Sequence, residues 1–495
     1  MSTYPLTARA IVFGIAAGTV AFILTTSPLV GYSLFVLATT IGMTWRRDEP
    51  PVMPAVFAYQ WLQITVGYFY FLIMGIYPDY FEPGNLELAI EFSLTGLLLI
   101  AGGIRVVEWA TKAYLKREPG TSHVINLNAL FWIVVLLYSV DFLGILSANL
   151  GGNFRTIVDR LLQLRQIPLL LLWIEIVKQG RLKSYLWLSL GLAVAPQLGT
   201  YFSDFKTPLI LLAIVFAFFW QPWHATQHRL TLNATLRVIA IALLVVFLGL
   251  IWQGGVKRSL RRTYDAEAIA RTPTQRVQLF IQNAQAALPT VFNDTGAVVE
   301  DLVSRLSYVT FFSRVLDYVP AFEPHANGEL LQMALTNAFV PRFLAPNKAE
   351  LPSDSYYTRR FSGILVSDTN AISISIGYLA EFYADWGVFG MFVSVFAYGM
   401  LMGLAMVALR YFCPQYLAGP AITSCLLVVL TFEQQFIKGF AALLMAVILA
   451  VLVTRLFGPR LARYIGVVVD DDHAGAAEVV RPRSAPTMRP LHRNA

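Results

Sequence analysis

Arg342, Lys348, Arg359 and Arg360 fall within one short stretch of the chain, VPRFLAPNKAELPSDSYYTRRFSG, residues 340–363. Pro341, Pro346 and Pro352 break it repeatedly, so the sequence predicts an ordered turn system rather than a helix. Arginine offers phosphate oxygens a planar fork and keeps its charge beside apolar surface, and lysine adds a point charge. The chemistry within reach is therefore the holding of an anion. Two anions fit a site near a membrane: a lipid-linked pyrophosphate, or the headgroups of the surrounding lipid. The aromatics Tyr356, Tyr357, Phe361 and Tyr378 leave the same choice open, as platforms for sugars or as an interfacial belt.

Stepping outward from that stretch, the elements that must position it are apolar. Of the 495 residues, 57% are hydrophobic and only 14% charged, which excludes a soluble globule and points to an all-α polytopic membrane protein. Windows of about 20 apolar residues fall near 9–26, 29–44, 52–75, 87–108, 126–148, 167–180, 184–200, 207–221, 236–253, 383–409, 418–435 and 438–456, about twelve spans in all. Lys and Arg collect in TWRRDEP, RVVEWATKAYLKREPG, VKQGRLKS, HATQHRLTLNATLR, LRYF and RLFGPRLARY, which predicts that both termini are cytoplasmic. The net charge of +7 follows from this topology and calls for no nucleic acid. Residues 1–253 then form an N-terminal bundle of about nine helices, and 254–382 one long external loop carrying short helices. Residues 383–457 return to the membrane, and 458–495 form a disordered cytoplasmic tail. The first apolar segment reads as an anchor rather than a removed signal. Cys413 and Cys425 read as free thiols.

Within the long loop, TGAVVEDLVSRLSYVTFFSRVLDYVP is amphipathic, with Val298, Leu302, Leu306 and Val309 on one helical face. Asp301 with Arg305, and Arg314 with Asp317, stand at helical pairing distance. The segment FEPHANGELLQMALTNAF predicts a further short helix that ends at Pro341. Charges inside or at the ends of apolar spans are rarer and mark either function or interhelical hydrogen bonding: Asp141, Glu175, Asp204, Lys206, Glu381 and Asp385. No phosphate-binding glycine loop or zinc-protease motif occurs, and the histidines are scattered, so no metal site and no cofactor are expected. The acidic run at 470–472 lies in the tail and is assigned no role.

The run VPRFLAPNKAELPSD, preceded by HANGELLQMALTN and followed by SISIGYLAEFYADWGVFGMFVSVFAYGML, resembles the Wzy-type oligosaccharide repeat-unit polymerases of O-antigen and exopolysaccharide pathways, relatives of the O-antigen ligases. The likeness is specific over roughly residues 300–400. Ala349 stands where the pattern has proline. The resemblance implies a GT-C-like fold in a bacterial inner membrane, with the long loop periplasmic. It also implies metal-independent, inverting transfer of a glycan from undecaprenyl pyrophosphate to a second lipid-linked repeat unit, with a chain-length regulator protein as an expected partner. On that reading Arg305, Arg342, Lys348 and Arg360 surround the pyrophosphate, with Arg359, Tyr356, Tyr357 and Tyr378 contacting substrate. Asp317, His325 or Glu381 receives the acceptor proton. The alternatives are an O-antigen ligase and a transporter of lipid-linked sugar or polysaccharide.

Overall fold

The computed structural model describes residues 7–46, 48–76, 84–112, 125–142, 161–195, 206–219, 293–339, 352–365 and 374–466, with isolated positions between 275 and 289. Among these residues every regular element is a helix. The predicted span at 236–253, Asp204, Arg342, Lys348 and the tail beyond 466 lie outside the described residues, as does the side chain of Asp141.

The N-terminal half runs α1 (Thr7–Thr25), α2 (Pro28–Thr44), α3 (Val52–Met74), α4 (Leu86–Ala110), α5 (Leu127–Phe142), α6 (Gln166–Gln179), α7 (Lys183–Val194) and α8 (Lys206–Phe219). Then come the short helices α9 (Thr295–Leu306), α10 (Val309–Tyr318), α11 (Glu329–Phe339) and α12 (Asp354–Ser362). The chain closes with α13 (Tyr378–Phe412), α14 (Gln415–Leu426) and α15 (Phe436–Ile465). Five helices, α1, α3, α4, α13 and α15, are long and apolar enough to cross a membrane, and α2, α5, α8 and α14 are shorter apolar helices. Each long one satisfies its backbone internally, as a span in lipid must. The chain therefore has the makings of a membrane protein.

The centre of the bundle is the contact of α4 with α13. Lipid tails are as apolar as the side chains they touch, so close packing rather than water exclusion holds such helices together. Here the approach is set by Gly103 and Gly399. A Cβ on Gly399 would stand 2.3 Å from the Ile100 carbonyl oxygen, and one on Gly103 2.4 Å from that of Phe396. Gly403 continues the seam one turn on, in a small-x-x-x-small spacing with Gly399.

Local geometry departs from the sequence reading at four points. Helix α13 begins at Tyr378, ahead of the expected 383, because the apolar run holds a break rather than a start: Gly387, with φ 68° and ψ −168°, separates a head, residues 378–386, from the long shaft. That conformation is open to glycine and strained for other residues. The expected span 418–435 is a helix only to Leu426, followed by a 3₁₀ turn at Leu427–Val429 and irregular chain up to Gln435. The last helix continues past 456 to Ile465, where Gly466 ends it in a left-handed conformation. The amphipathic face expected through Val309 is divided between two helices: α9 stops at Leu306, burying Val298 and Val303, and Val309 starts α10.

Candidate functional site at the head of α13

Arg410, near the end of α13, was counted above among the cations of a connecting loop, but it is a buried helical residue. Its Nε and Nη2 donate to the two carboxylate oxygens of Glu49 at 2.6 and 2.8 Å, and its Nη1 stands 3.5 Å from Glu108. Glu108 in turn meets Arg105 at 3.0 Å and also Arg46. At the Arg46 and Nη1 contacts the charges meet by proximity rather than in hydrogen-bond geometry. The cluster brings the α2–α3 connection and the ends of α4 and α13 to one end of the bundle. Each of its charged groups faces an opposite charge.

The opposite end of α13 is built differently. Helix α3 carries Gln60 and Gln63 in an otherwise apolar run, both buried. They satisfy the open backbone after α14: the Gln60 Nε2 donates to the Val429 carbonyl at 2.8 Å, and the Phe432 N–H donates to the Gln63 Oε1 at 2.8 Å. The Tyr378 hydroxyl donates to the other atom of the Gln60 amide, at 2.8 Å. Irregular backbone at membrane depth is tolerated when such side chains complete it. Tyr308 pins the approach to α13 in the same way, donating to the Ser375 carbonyl at 2.6 Å and accepting from its N–H at 3.1 Å. Burial holds the Tyr308 phenol far above the usual range, so it acts as a neutral hydroxyl.

Glu381 sits in the first turn of α13, with 2% of its surface exposed. Its Oε2 accepts the Phe436 N–H at 2.8 Å, so the carboxylate also caps the N-terminus of α15, where a helix favours negative charge. Its Oε1 is buried with no hydrogen-bond partner among the described residues. The Nε2 of Gln435, the residue before Phe436, is buried and unpartnered in the same sense. Phe382, Tyr398 and Phe440 pack around Phe436 at ring separations of 4.7, 5.3 and 5.5 Å and enclose the junction in aromatic surface.

A charged rim borders this junction. Lys438, in the first turn of α15, pairs with Asp354 of α12 at 2.5 Å. Arg360 is held by two carboxylates, through Nε to Glu323 at 2.7 Å and through Nη1 and Nη2 to Glu329 at 2.9 and 3.1 Å. It also lies 4.8 Å from the Phe361 ring centroid. Hydrogen bonding to Glu329 pushes its guanidinium further toward the protonated form, against the opposing effect of burial. The C-terminal part of the stretch read from its prolines as turns is instead a helix, α12. Pro352 is the last of those prolines, and the Ser353 N-cap, first-turn Asp354 and C-terminal Gly363 start and stop a helix of nine polar and aromatic residues. Tyr357 is buried, with its hydroxyl on the Met333 sulfur at 3.0 Å, whereas Tyr356 is 42% exposed. Arg359 is half-buried on the same helix.

The remaining predicted residues are dispersed. Arg305 is exposed in the last turn of α9. Asp317, on α10, accepts from the Asn85 side chain at 2.7 Å and from its N–H at 3.3 Å, joining α10 to the start of α4. His325 belongs to the turn that docks on the Gly387 break, its Nδ1 3.4 Å from the Ala384 carbonyl and its ring edge-on to Tyr383. Beside it, Asp385 accepts the N–H groups of Gly328, Leu330 and Leu331 at 2.9, 3.2 and 3.0 Å and so caps α11. Glu175 is buried and paired with Lys178 at 3.3 Å on its own helix. Of the predicted set, the structure groups Glu381 and Tyr378 at the junction, with Arg359, Arg360, Tyr356 and Tyr357 on α12 above it.

Sequence reading missed Gln60, Gln63, Gln435, Lys438 and Tyr308. The signal was present as amide side chains three apart in FAYQWLQIT and as the polar run TFEQQFIKG at an expected span end.

The profile of a family described as a domain of unknown function, DUF8712, matches residues 114–460, which include every residue of the junction from Tyr308 to Lys438 but not Gln60 and Gln63. No curated protein and no solved structure matches the chain.

Proposed function

The chain belongs to the DUF8712 family, and from that premise we propose that it is a membrane glycosyltransferase that polymerises lipid-linked oligosaccharide repeat units at the outer face of a bacterial inner membrane. The observation that carries this reading is the anchoring of the basic segment's flanks. Phe339, just before the segment that holds Arg342 and Lys348, packs on Phe440 with ring centroids 5.8 Å apart, and Asp354, just after it, pairs with Lys438. Both anchors are on the first turns of α15, whose N-terminus is capped by Glu381. These described flanks, both anchored on the first turns of the helix that Glu381 caps, support the proposal of an anion site and a proton acceptor in one locality.

In the proposed reaction the donor glycan is attached through its anomeric carbon to undecaprenyl pyrophosphate. A hydroxyl of the acceptor repeat unit attacks that carbon from the face opposite the pyrophosphate. The new C–O bond forms as the bond to the pyrophosphate oxygen breaks, and the pyrophosphate leaves with the electron pair. Arg342 and Lys348 stabilise the leaving charge, which is the largest expected contribution to catalysis. The hydroxyl proton passes to a carboxylate, for which Glu381 is the candidate with an unused oxygen. About twelve spans, cytoplasmic termini and a chain-length regulator as partner complete the proposal.

The test is a glycan ladder on a gel, in polymerase-deficient cells of the cognate pathway, complemented with the wild-type protein or with Arg342→Ala at matched membrane levels. A ladder restored by the wild type and lost in the variant supports the reading. A single capped repeat unit in both removes the polymerase assignment and favours ligation or transport.

A further inference from the structure

Buried polar groups in native proteins are almost always hydrogen-bonded, because an unpaired one forfeits its hydration with nothing in return. At the head of α15 this rule fails twice within one junction. Glu381 Oε1 and Gln435 Nε2 are both buried, at 2% and 3% residue exposure, and neither has a partner among the described residues. They belong to the same junction because the other Glu381 oxygen is bonded to the amide of Phe436, the residue that follows Gln435. They do not satisfy each other. One is an acceptor and the other a donor, and the group that completes both at once is a hydroxyl, which accepts one hydrogen bond and donates another.

We propose that Glu381 and Gln435 form a two-point site for a sugar hydroxyl, with the Gln435 amide donating to the hydroxyl oxygen and the Glu381 carboxylate accepting its proton. This rests on the polymerase reading for the identity of the sugar, the acceptor repeat unit, and extends it by naming Gln435 as the residue that positions the attacking oxygen. Aromatic surface borders the pair: Phe382, Phe436 and Tyr398 are buried and pack against one another beside it, and aromatic rings are a surface on which the C–H faces of sugars pack. Solvent is near, since Lys438 lies one helical turn beyond Gln435 and its side chain is 46% exposed. A simple ion site fits less well, because a donor and an acceptor side by side present no single sign of charge.

Two variants separate this role from a structural one. Glu381→Gln keeps an oxygen that can accept the Phe436 N–H and replaces the free acceptor by an amide. Gln435→Ala removes the donor and leaves the backbone in place. The full chain in lipid nanodiscs is titrated with octyl β-glucoside below its micelle concentration, followed by saturation-transfer difference NMR of the sugar-ring protons, with each variant's thermal midpoint measured in parallel. The expected result is a ring-proton signal in the wild type that falls at least tenfold in both variants at unchanged thermal midpoint. Equal signals in wild type and variants, or a loss that tracks a fall in folded fraction, overturns the site. The ladder assay with the same variants separates the two claims. Binding that depends on Glu381 and Gln435 without any ladder from the wild type keeps the hydroxyl site and discards polymerisation. A ladder that both variants restore keeps polymerisation and discards the site.

Discussion

The two ends of α13 carry buried charge to opposite effect. At the Arg410 end, Arg46, Glu49, Arg105, Glu108 and Arg410 each face an opposite charge, and Arg410 holds Glu49 in a bidentate fork. At the Glu381 end, one carboxylate oxygen and one amide nitrogen remain without partners among the described residues. The ends lie on one helix, 35 residues long, so the difference does not come from the scaffold. At the Arg410 end the buried atoms that lack hydrogen-bond geometry still face an opposite charge, and the cluster reads as architecture, whereas the open oxygen and nitrogen at the Glu381 end keep a capacity that binding can use. Buried charge alone therefore does not mark a site. A buried polar atom with neither a hydrogen bond nor an ion pair among the described residues does.

The comparison can be broken at its closed end first. Arg410→Ala removes the bidentate partner of buried Glu49 and one of the three cations at Glu108, and removal of one member of a buried pair typically costs about 3–5 kcal/mol. The folded, monodisperse fraction in fluorescence-detected size exclusion is expected to collapse, and wild-type yield from this variant would show that the network does not hold the fold. Asp385→Ala comes next. It leaves three N–H groups at the start of α11 without their acceptor and is expected to cost about 1–3 kcal/mol, seen as a lower thermal midpoint. Arg360→Ala removes ion pairs whose partners are partly exposed, with Glu329 at 43%, and should cost only about 1 kcal/mol. A larger loss of thermal midpoint would make Arg360 a structural clamp of α12 rather than part of the rim. Smallest is Lys438→Met, whose half-exposed pair with Asp354 is expected to contribute under about 1 kcal/mol. The pair is screened at raised salt, so the difference in thermal midpoint between wild type and variant should shrink from 0.1 to 1 M NaCl.

How far this contrast was legible in the sequence depends on the range of the interactions. Helices α3 and α4 were readable to within two residues at each end, because lipid demands about 20 apolar residues and polar turns bound them. The break at Gly387 was not, since apolar residues continue on both sides of it and hydropathy carries no dihedral information. The end of α14 at Leu426 was hidden for the same reason. Glu381 stood out as a charge at a span end, yet what makes it unusual, the amide of Phe436 and the neighbouring Gln435, is 55 residues away in the chain. Arg410 shows the converse. It was counted as a loop cation because its partner Glu49 is 361 residues distant. Types and spacing reveal which groups could be buried; the completeness of their pairing is a tertiary property.

The measurement closest to the central claim sets Glu381→Gln beside Arg410→Lys, reading folded yield and glycan ladder from the same membranes. Lysine keeps the charge of Arg410 but loses the fork to Glu49. The account predicts that Glu381→Gln keeps wild-type folded yield and loses the ladder, and that Arg410→Lys loses folded yield and ladder in the same proportion. Equal and parallel losses in the two variants would contradict it, because both ends of α13 would then be architecture.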